Sequence, residues 1–209
     1  MHTVTCPSCA GSVADERRSP RLVLASASPR RSQLMQEIGL KFDVIPSQVA
    51  EGGISAGRPE ELVMLLAHAK AADVAKRLKA GIVIGADTIV VAGGQVLGKP
   101  VDSADAVKML RALSGREHQV YSGVALIDAG SGRSLTDYEV TAVRFRQLSE
   151  ASIERYVATG EPMDKAGAYA IQGLGSLLVT GIRGDYNCVV GLPLGKLAIM
   201  LSEFGVDTL

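Results

Sequence analysis

Arg21-Leu22-Val23-Leu24-Ala25-Ser26-Ala27-Ser28-Pro29-Arg30-Arg31 begins the patterned part of this 209-residue chain, and its reading decides the fold. Leu22 to Ala25 is a short apolar run bounded by turn formers, the pattern of a buried strand. Ser28 is a favourable N-cap, and Pro29 suits the first position of a helix. Leu34, Met35 and Ile38 then recur at helical spacing, and Gly39 ends the run. The chain therefore starts with strand, tight turn and helix.

Downstream, Phe42 to Ile45 reads as a second strand, and residues 47–58 form a polar, Gly-rich loop. Pro59 to Lys79 has apolar residues at helical spacing. Ile82 to Ala86 reads as a central buried strand, with Asp87-Thr88 at its C-terminal end. Ile89-Val90-Val91 and Gln95-Val96-Leu97 flank Gly93-Gly94, a two-residue hairpin signal. Asp102 or Ser103 caps a helix running to Leu113. Long strands are predicted over His118–Asp128 and Ser134–Arg146, and a helix runs from Ser149 to Gly160. Ala168–Ile171 and Leu177–Ile182 read as strands, and Pro193 opens a last helix that stops near Gly205. Helices and strands alternate but hairpins interrupt them. The expected fold class is therefore α/β, a mixed twisted sheet flanked by helices.

Upstream, Cys6-Pro-Ser-Cys9 and the polar run through Arg18 lack a secretory apolar core, so residues 1–20 read as a flexible extension and the protein as cytoplasmic. Three cysteines argue against a disulfide scaffold. No stretch is long and apolar enough for a membrane span, so no membrane partner is expected. Hydrophobic residues make up 47% and charged residues 21%, which excludes disordered, collagen-like and coiled-coil chains. Lys plus Arg is 22 and Asp plus Glu is 22, so no chain-wide basic field exists for nucleic acid. An anion would have to be bound by a local cluster.

Two places concentrate chemistry. A helix N-terminus at Ser26–Arg31 offers unpaired N–H groups and a positive dipole end, which suit phosphate. Ser26 and Ser28 add hydroxyls, and Arg30 and Arg31 add bidentate charge. The same residues would also make a capped helix with two solvent-facing arginines. Asp87 follows a buried strand, where ligands collect in α/β sheets, and it can bind a metal or take a proton from water. An Asp that merely caps a turn would look the same.

Glu51, Lys70, Lys99, Asp164 and Lys165 each read alone as surface or turn residues. Gln172, at the end of an apolar run, reads as a satisfied core amide. His118 is a candidate general base, yet the three histidines lack zinc-ligand spacing. Cys6 and Cys9 make half a zinc ribbon, and Cys188 reads as a small core residue. The Ser-bearing turn lacks a Gly-x-Ser-x-Gly elbow, which argues against a serine hydrolase. As one set, Arg30, Arg31, Lys70, Lys99 and Lys165 supply cations for a polyphosphate. Glu51, Asp87 and Asp164 supply oxygens for a hard divalent cation.

The motifs Leu24 to Arg31, Gly85-Ala86-Asp87-Thr88, Gly98-Lys99-Pro100 and Leu113 to Arg116 resemble those of the Maf family of nucleotide pyrophosphatases. Glu161 to Tyr169, Ile171-Gln172-Gly173 and Val189 to Pro193 complete the resemblance, in order, from about residue 21 to 205. It implies one Maf-like domain over residues 21–209, with two lobes around a central cleft as in inosine triphosphatases, and a homodimer. It also implies hydrolysis of nucleoside triphosphates to monophosphate and pyrophosphate, a house-cleaning role, and dependence on magnesium, manganese or cobalt. Asp87 matches the catalytic acid–base position, and Arg30, Thr88 and Gln172 match positions tied to substrate choice. Ser26, Arg31, Lys70, Lys99 and Lys165 match phosphate-binding positions, while Glu51 and Asp87 match metal positions. Thr88 after Asp87 resembles the branch that prefers dTTP and UTP, whereas the 7-methylguanosine triphosphate branch has Ser-Asp-Gln there. A Thr hydroxyl and a Gln amide would suit the O4 and N3 edge of uracil or thymine. A nucleotide-binding regulator of septum formation, with little catalysis, is the alternative from another class. Cys6 and Cys9 depart from the family pattern.

Overall fold

A strand covered on both faces needs near-continuous apolar sequence, and Leu22-Val23-Leu24 supplies it. All three side chains are buried, and they form β1 (Leu22–Leu24) at the centre of a parallel trio. The computed structural model describes residues 20–209. The expected extension, with Cys6 and Cys9, lies outside the described residues except for Pro20.

The seven-stranded sheet has the order β2-β1-β3-β5-β6-β7, with β4 on the far half of β3. β2 (Phe42–Val44), β1 and β3 (Ile82–Ala92) are parallel. β4 (Gln95–Leu97), β5 (Glu117–Asp128), β6 (Ser134–Phe145) and β7 (Val179–Arg183) join antiparallel. Helices α1 (Pro29–Glu37) and α6 (Leu194–Ser202) cover one face, where Leu34, Met35, Leu197 and Leu201 pack on Leu24, Ile84 and Leu126. Helix α2 (Pro59–Ala75) covers the other, with Ala67, Ala71 and Val74 against Val23, Val83 and Ala125. A second core lies under α3 (Ser103–Leu113) and α4 (Glu150–Ala158), built on Leu110, Leu113, Val143, Phe145 and Ile153. The expected mixed α/β fold is present, and a cleft opens where these two packed halves meet.

The position of the cleft follows from an offset in strand pairing. β1 pairs β3 over Ile82–Ile84, and β4 pairs the same edge over Val90–Ala92. On the other edge β5 accompanies β3 from Ile82 to Val91. At the gap between β1 and β4, Asp87 faces Gly123 of β5 and has an open edge on its other side. The expectation that Asp87 ends a strand is therefore corrected: β3 runs through it to Ala92. What ends at this level is β1, so the acid still lies at a sheet opening.

Two glycines set the height of α2 above the sheet. A Cβ on Gly85 would lie 2.2 Å from the Ala67 carbonyl oxygen, and one on Gly123 would lie 2.3 Å from that of Val63. The missing side chains let the helix backbone rest directly on β3 and β5.

Three other expectations change. Ala168–Ile171 is not a strand, because the chain passes through positive φ at Gly167 and Ala168 and leaves the sheet direction. Residues Gly173–Leu178 form a 3-10 turn, so β7 starts only at Val179. The α2 helix stops at Ala75 rather than Lys79, as Arg77 and Leu78 bond back only three residues. The short helix α5 (Tyr186–Val190) was not anticipated.

Gly85→Ala should force α2 off the sheet. Such overpacking costs about 1–3 kcal/mol, which lowers the melting temperature by roughly 2–10 °C in a chain of this size. Thermal denaturation of the variant checks it; an unchanged midpoint would show that α2 rides higher than described.

Candidate active site

Two adjacent residues of β3 enter the cleft from opposite faces of the sheet. Asp87 points to the α2 side, as do Val83 and Gly85, and its Oδ1 accepts from Lys70 Nζ at 2.5 Å. Asp87 is 6% exposed, so this ion pair is largely shielded from water. Thr88 points to the α1 side and meets the Ser26–Arg31 turn. Both reach the same cavity because the sheet has no strand at this edge.

Arg31 is not a solvent-facing helix residue. It is 9% exposed, and its guanidinium donates to Gly191 O at 2.8 Å, Ser26 Oγ at 3.2 Å and Thr88 Oγ1 at 3.3 Å. Ser28 occupies the N-cap position without a side-chain cap bond. Ser26 Oγ instead accepts the Ser28 N–H. The turn is thus stiffened by Ser26, which links it to Arg31.

The Thr88 hydroxyl is also committed. Ser122 Oγ donates to Cys188 O at 2.7 Å, so the hydrogen between Ser122 and Thr88, also 2.7 Å apart, comes from Thr88. Thr88 Oγ1 then accepts from Arg31. Its proton is spent inside the protein. Ser122, fully buried, was missed by sequence reasoning; a lone Ser on the apolar run Val124-Ala125-Leu126-Ile127 was the available signal. Gly191 was missed as an Arg31 acceptor because backbone carbonyls leave no trace in sequence.

The opposite wall carries the remaining charges. Lys165 Nζ donates to Asp164 Oδ1 at 2.5 Å and to Glu161 O at 2.7 Å. Arg30 approaches Asp164 Oδ2 at 3.9 Å. Burial pushes the Asp164 carboxyl up, but the Lys165 hydrogen bond and charge, aided by Arg30, hold it below the usual range. Lys99 follows β4, is exposed and lines the cleft. Gln172 is half-buried in the wall, in an irregular segment rather than at a strand end.

Ser26, Arg30, Arg31, Lys70, Asp87, Thr88, Lys99, Asp164, Lys165 and Gln172 therefore share one cavity of about 580 Å³. Glu51 belongs to the 3-10 turn Glu51–Gly53, and its side chain lies outside the described residues. Two residues fall away from the chemistry. His118 is in the core, with Nε2 2.8 Å from Tyr169 Oη and edge-on contacts to Phe145 and Tyr169. Cys188 is buried, its thiol pushed up to about 11 by burial.

A family model described as Maf-like protein matches residues 21–204. The chain belongs to the Maf family. Curated Maf relatives named dTTP/UTP pyrophosphatase match nearly end to end. That of Desulforamulus reducens is 52% identical over 189 residues, covering 89% of this chain and 97% of its own. That of Pelotomaculum thermopropionicum is 50% identical over 188 residues, covering 90% and 98%. That of Moorella thermoacetica is 54% identical over 187 residues, covering 90% and 96%. A solved HAM1 protein of Coxiella burnetii overlaps at a TM-score of 0.43 and 21% identity, over 60% of this chain and 73% of its own, too slight a likeness to bear on the fold. Among the described residues, no helix of this Maf protein is long and apolar enough to cross a membrane.

Burial pushes His118 down to about 4 from 6.5, against a small opposing pull from Glu117. The unfolded chain therefore binds the proton first on acidification. Stability should be full above about pH 6.5 and fall as pH drops toward 4, by on the order of 3 kcal/mol from this group. Melting curves of wild type and His118→Gln across that range check it. Equal acid sensitivity of the two would reject a buried neutral His118.

Proposed function

We propose that this Maf protein hydrolyses dTTP and UTP to the monophosphate and pyrophosphate. The observation that carries the reading is the placement of Asp87, a shielded carboxylate facing a cleft lined by Arg30, Arg31, Lys70, Lys99 and Lys165. Such a site suits a polyanion with water-mediated attack at one end. The names of the curated relatives support the pyrimidine substrates.

In this mechanism the cations receive the triphosphate. Arg31 is held by Gly191, Ser26 and Thr88, so its orientation costs little to fix when phosphate binds. Lys165, Lys99 and Arg30 face the developing charge on the leaving pyrophosphate. Asp87 holds a water toward the α-phosphorus and takes its proton as the new P–O bond forms. The bond from the α-phosphorus to the bridging oxygen breaks, and the electron pair leaves with pyrophosphate. Lys70 keeps Asp87 oriented through Oδ1 and leaves the second oxygen for the water. Thr88 acts by holding Arg31, and Gln172 offers its amide to the base.

The donors suit a hard divalent cation. Among the described residues no group of three or more His, Cys, Asp or Glu could hold one, so Asp87 would share it with substrate phosphates, as magnesium commonly is. By resemblance Glu51 would be a second ligand. When bound, the ion would neutralise phosphate charge and acidify water. We further propose that the protein works in the cytoplasm as a homodimer, as the Maf resemblance implies.

Asp87→Asn should lower pyrophosphate release from dTTP by about 10²–10⁴-fold. A folded variant with full activity removes Asp87 from the chemistry. A chelator should stop turnover in the intact protein and added magnesium should restore it, as pyrophosphate release assays would record; turnover indifferent to chelation rejects the metal.

A further inference from the structure

Gln172 stands on a segment that the sheet does not hold. Upstream, Gly167 and Ala168 take positive φ, and downstream the chain enters the 3-10 turn Gly173–Leu178. Something else must fix the height and tilt of this cleft wall. The bonds that do so converge on Glu161, at the start of the 3-10 turn Glu161–Asp164.

Its carboxylate is fully engaged. Oε2 accepts the Leu174 N–H at 3.1 Å, and Oε1 accepts the Gly175 N–H at 3.0 Å. Oε1 also accepts the Tyr156 hydroxyl at 3.0 Å. Tyr156, 5% exposed on α4, in turn accepts the Ala170 N–H at 3.2 Å. The brace thus grips the chain two residues before Gln172 and two and three residues after it. The two glycines are shaped to it. Gly173 sits at φ +64, and a Cβ there would come 2.9 Å from Glu161 Oε2. A Cβ on Gly175 would come 2.6 Å from Tyr156 Oη and 2.2 Å from Ala170 O. Burial pushes the Glu161 carboxyl up, but the two N–H groups, the Tyr156 hydroxyl and Lys165 outweigh it and keep the acceptor charged. The backbone of the same residue holds the other wall group, since Glu161 O accepts from Lys165 Nζ.

We propose that Glu161, acting with Tyr156, is a positioning residue that sets Gln172 against the base and Lys165 against the phosphates. Glu161 does not line the cleft, so it works only through these two side chains. The proposal rests on the pyrimidine triphosphatase reading and deepens it: discrimination between bases is held in a carboxylate outside the site. A merely structural Glu161 would tie a surface turn, and its loss would lower the melting point without touching selectivity.

The test uses the full chain as Glu161→Ala, Glu161→Gln and Tyr156→Phe. Steady-state kinetics are measured with dTTP, UTP and ATP, and binding of the same three is measured by calorimetry. Loss of the Glu161 acceptor should raise KM for dTTP and UTP about tenfold and narrow the preference over ATP by about the same factor. The kcat for dTTP should move much less, since Asp87, Lys70 and the Glu161 backbone carbonyl that holds Lys165 stay in place. Tyr156→Phe removes one arm and should shift selectivity in the same direction by less. Glu161→Gln keeps one acceptor but turns an amide donor toward backbone N–H groups, so it should resemble Glu161→Ala. Hydrogen exchange at the Leu174 and Gly175 amides should speed up in both Glu161 variants.

Folded variants that keep the parent's dTTP-to-ATP preference in both binding and turnover overturn the proposal, whatever happens to their melting points. If Glu161→Ala does not fold, Tyr156→Phe decides by the same ratio. A parent that binds dTTP over ATP but releases no pyrophosphate overturns the hydrolysis reading alone, and the binding ratios of the variants still decide the role of Glu161.

Discussion

Lys70 and Asp87 meet at 2.5 Å in a place almost without water, and the rest of the site is arranged around that pair. Burying two opposite charges costs several kcal/mol per ion in desolvation, repaid only by close geometry. The geometry comes from Gly85 and Gly123, which let α2 lie on the backbone of β3 and β5. A helix lifted by one methyl group would carry Lys70 away from the carboxylate. Removal of either partner alone would leave a charge stranded in a low-dielectric setting, at a cost on the order of 3–5 kcal/mol. The pair is therefore better explained by the role proposed for Asp87 than by its net contribution to stability.

A second constraint operates on the far side of β3. Arg31, Thr88, Ser122 and the carbonyls of Cys188 and Gly191 form a hydrogen-bonded chain with a single consistent direction of donors. It reaches from α1 across β3 to β5 and the end of α5. Ser122 and Thr88 are register partners on adjacent strands, so sheet pairing itself places their hydroxyls together. The consequence is an arginine presented to the cleft in a fixed pose. A polar network buried this deeply is tolerated because every hydroxyl proton has an acceptor.

The places where sequence reasoning and structure part company share a cause. In the apolar run Ala168–Ile171, Ala168, Tyr169 and Ile171 are buried, yet the backbone turns away from the sheet; Tyr156 holds it at Ala170, and Glu161 holds the chain beyond it at Gly175. Burial pattern reports which side chains avoid water; it carries no information about which groups satisfy the backbone. The sequence places Asp87 just after the buried run Ile82–Ala86, yet the acid lies inside the eleven-residue strand β3. It is tolerated because β1 stops at its level and Lys70 arrives from α2. Arg31 looked like half of an exposed pair for the same reason, since its three acceptors come from chain positions 5, 57 and 160 residues away.

The strand–turn–helix opening, the Gly93-Gly94 hairpin, the capped α3 and α4 and the mixed sheet were all legible in the order of residues, because periodicity, caps and turn glycines act over a few positions. The family motifs likewise singled out ten side chains that share the cleft. Which of them are exposed and which are locked was not legible. That depended on where β1 ends relative to β4, on how closely α2 approaches two glycines, and on a carboxylate at Glu161 bonding amides 13 and 14 residues ahead. Long-range contacts of this kind arise only when the chain is packed, since no local propensity encodes the distance between a helix and the sheet beneath it.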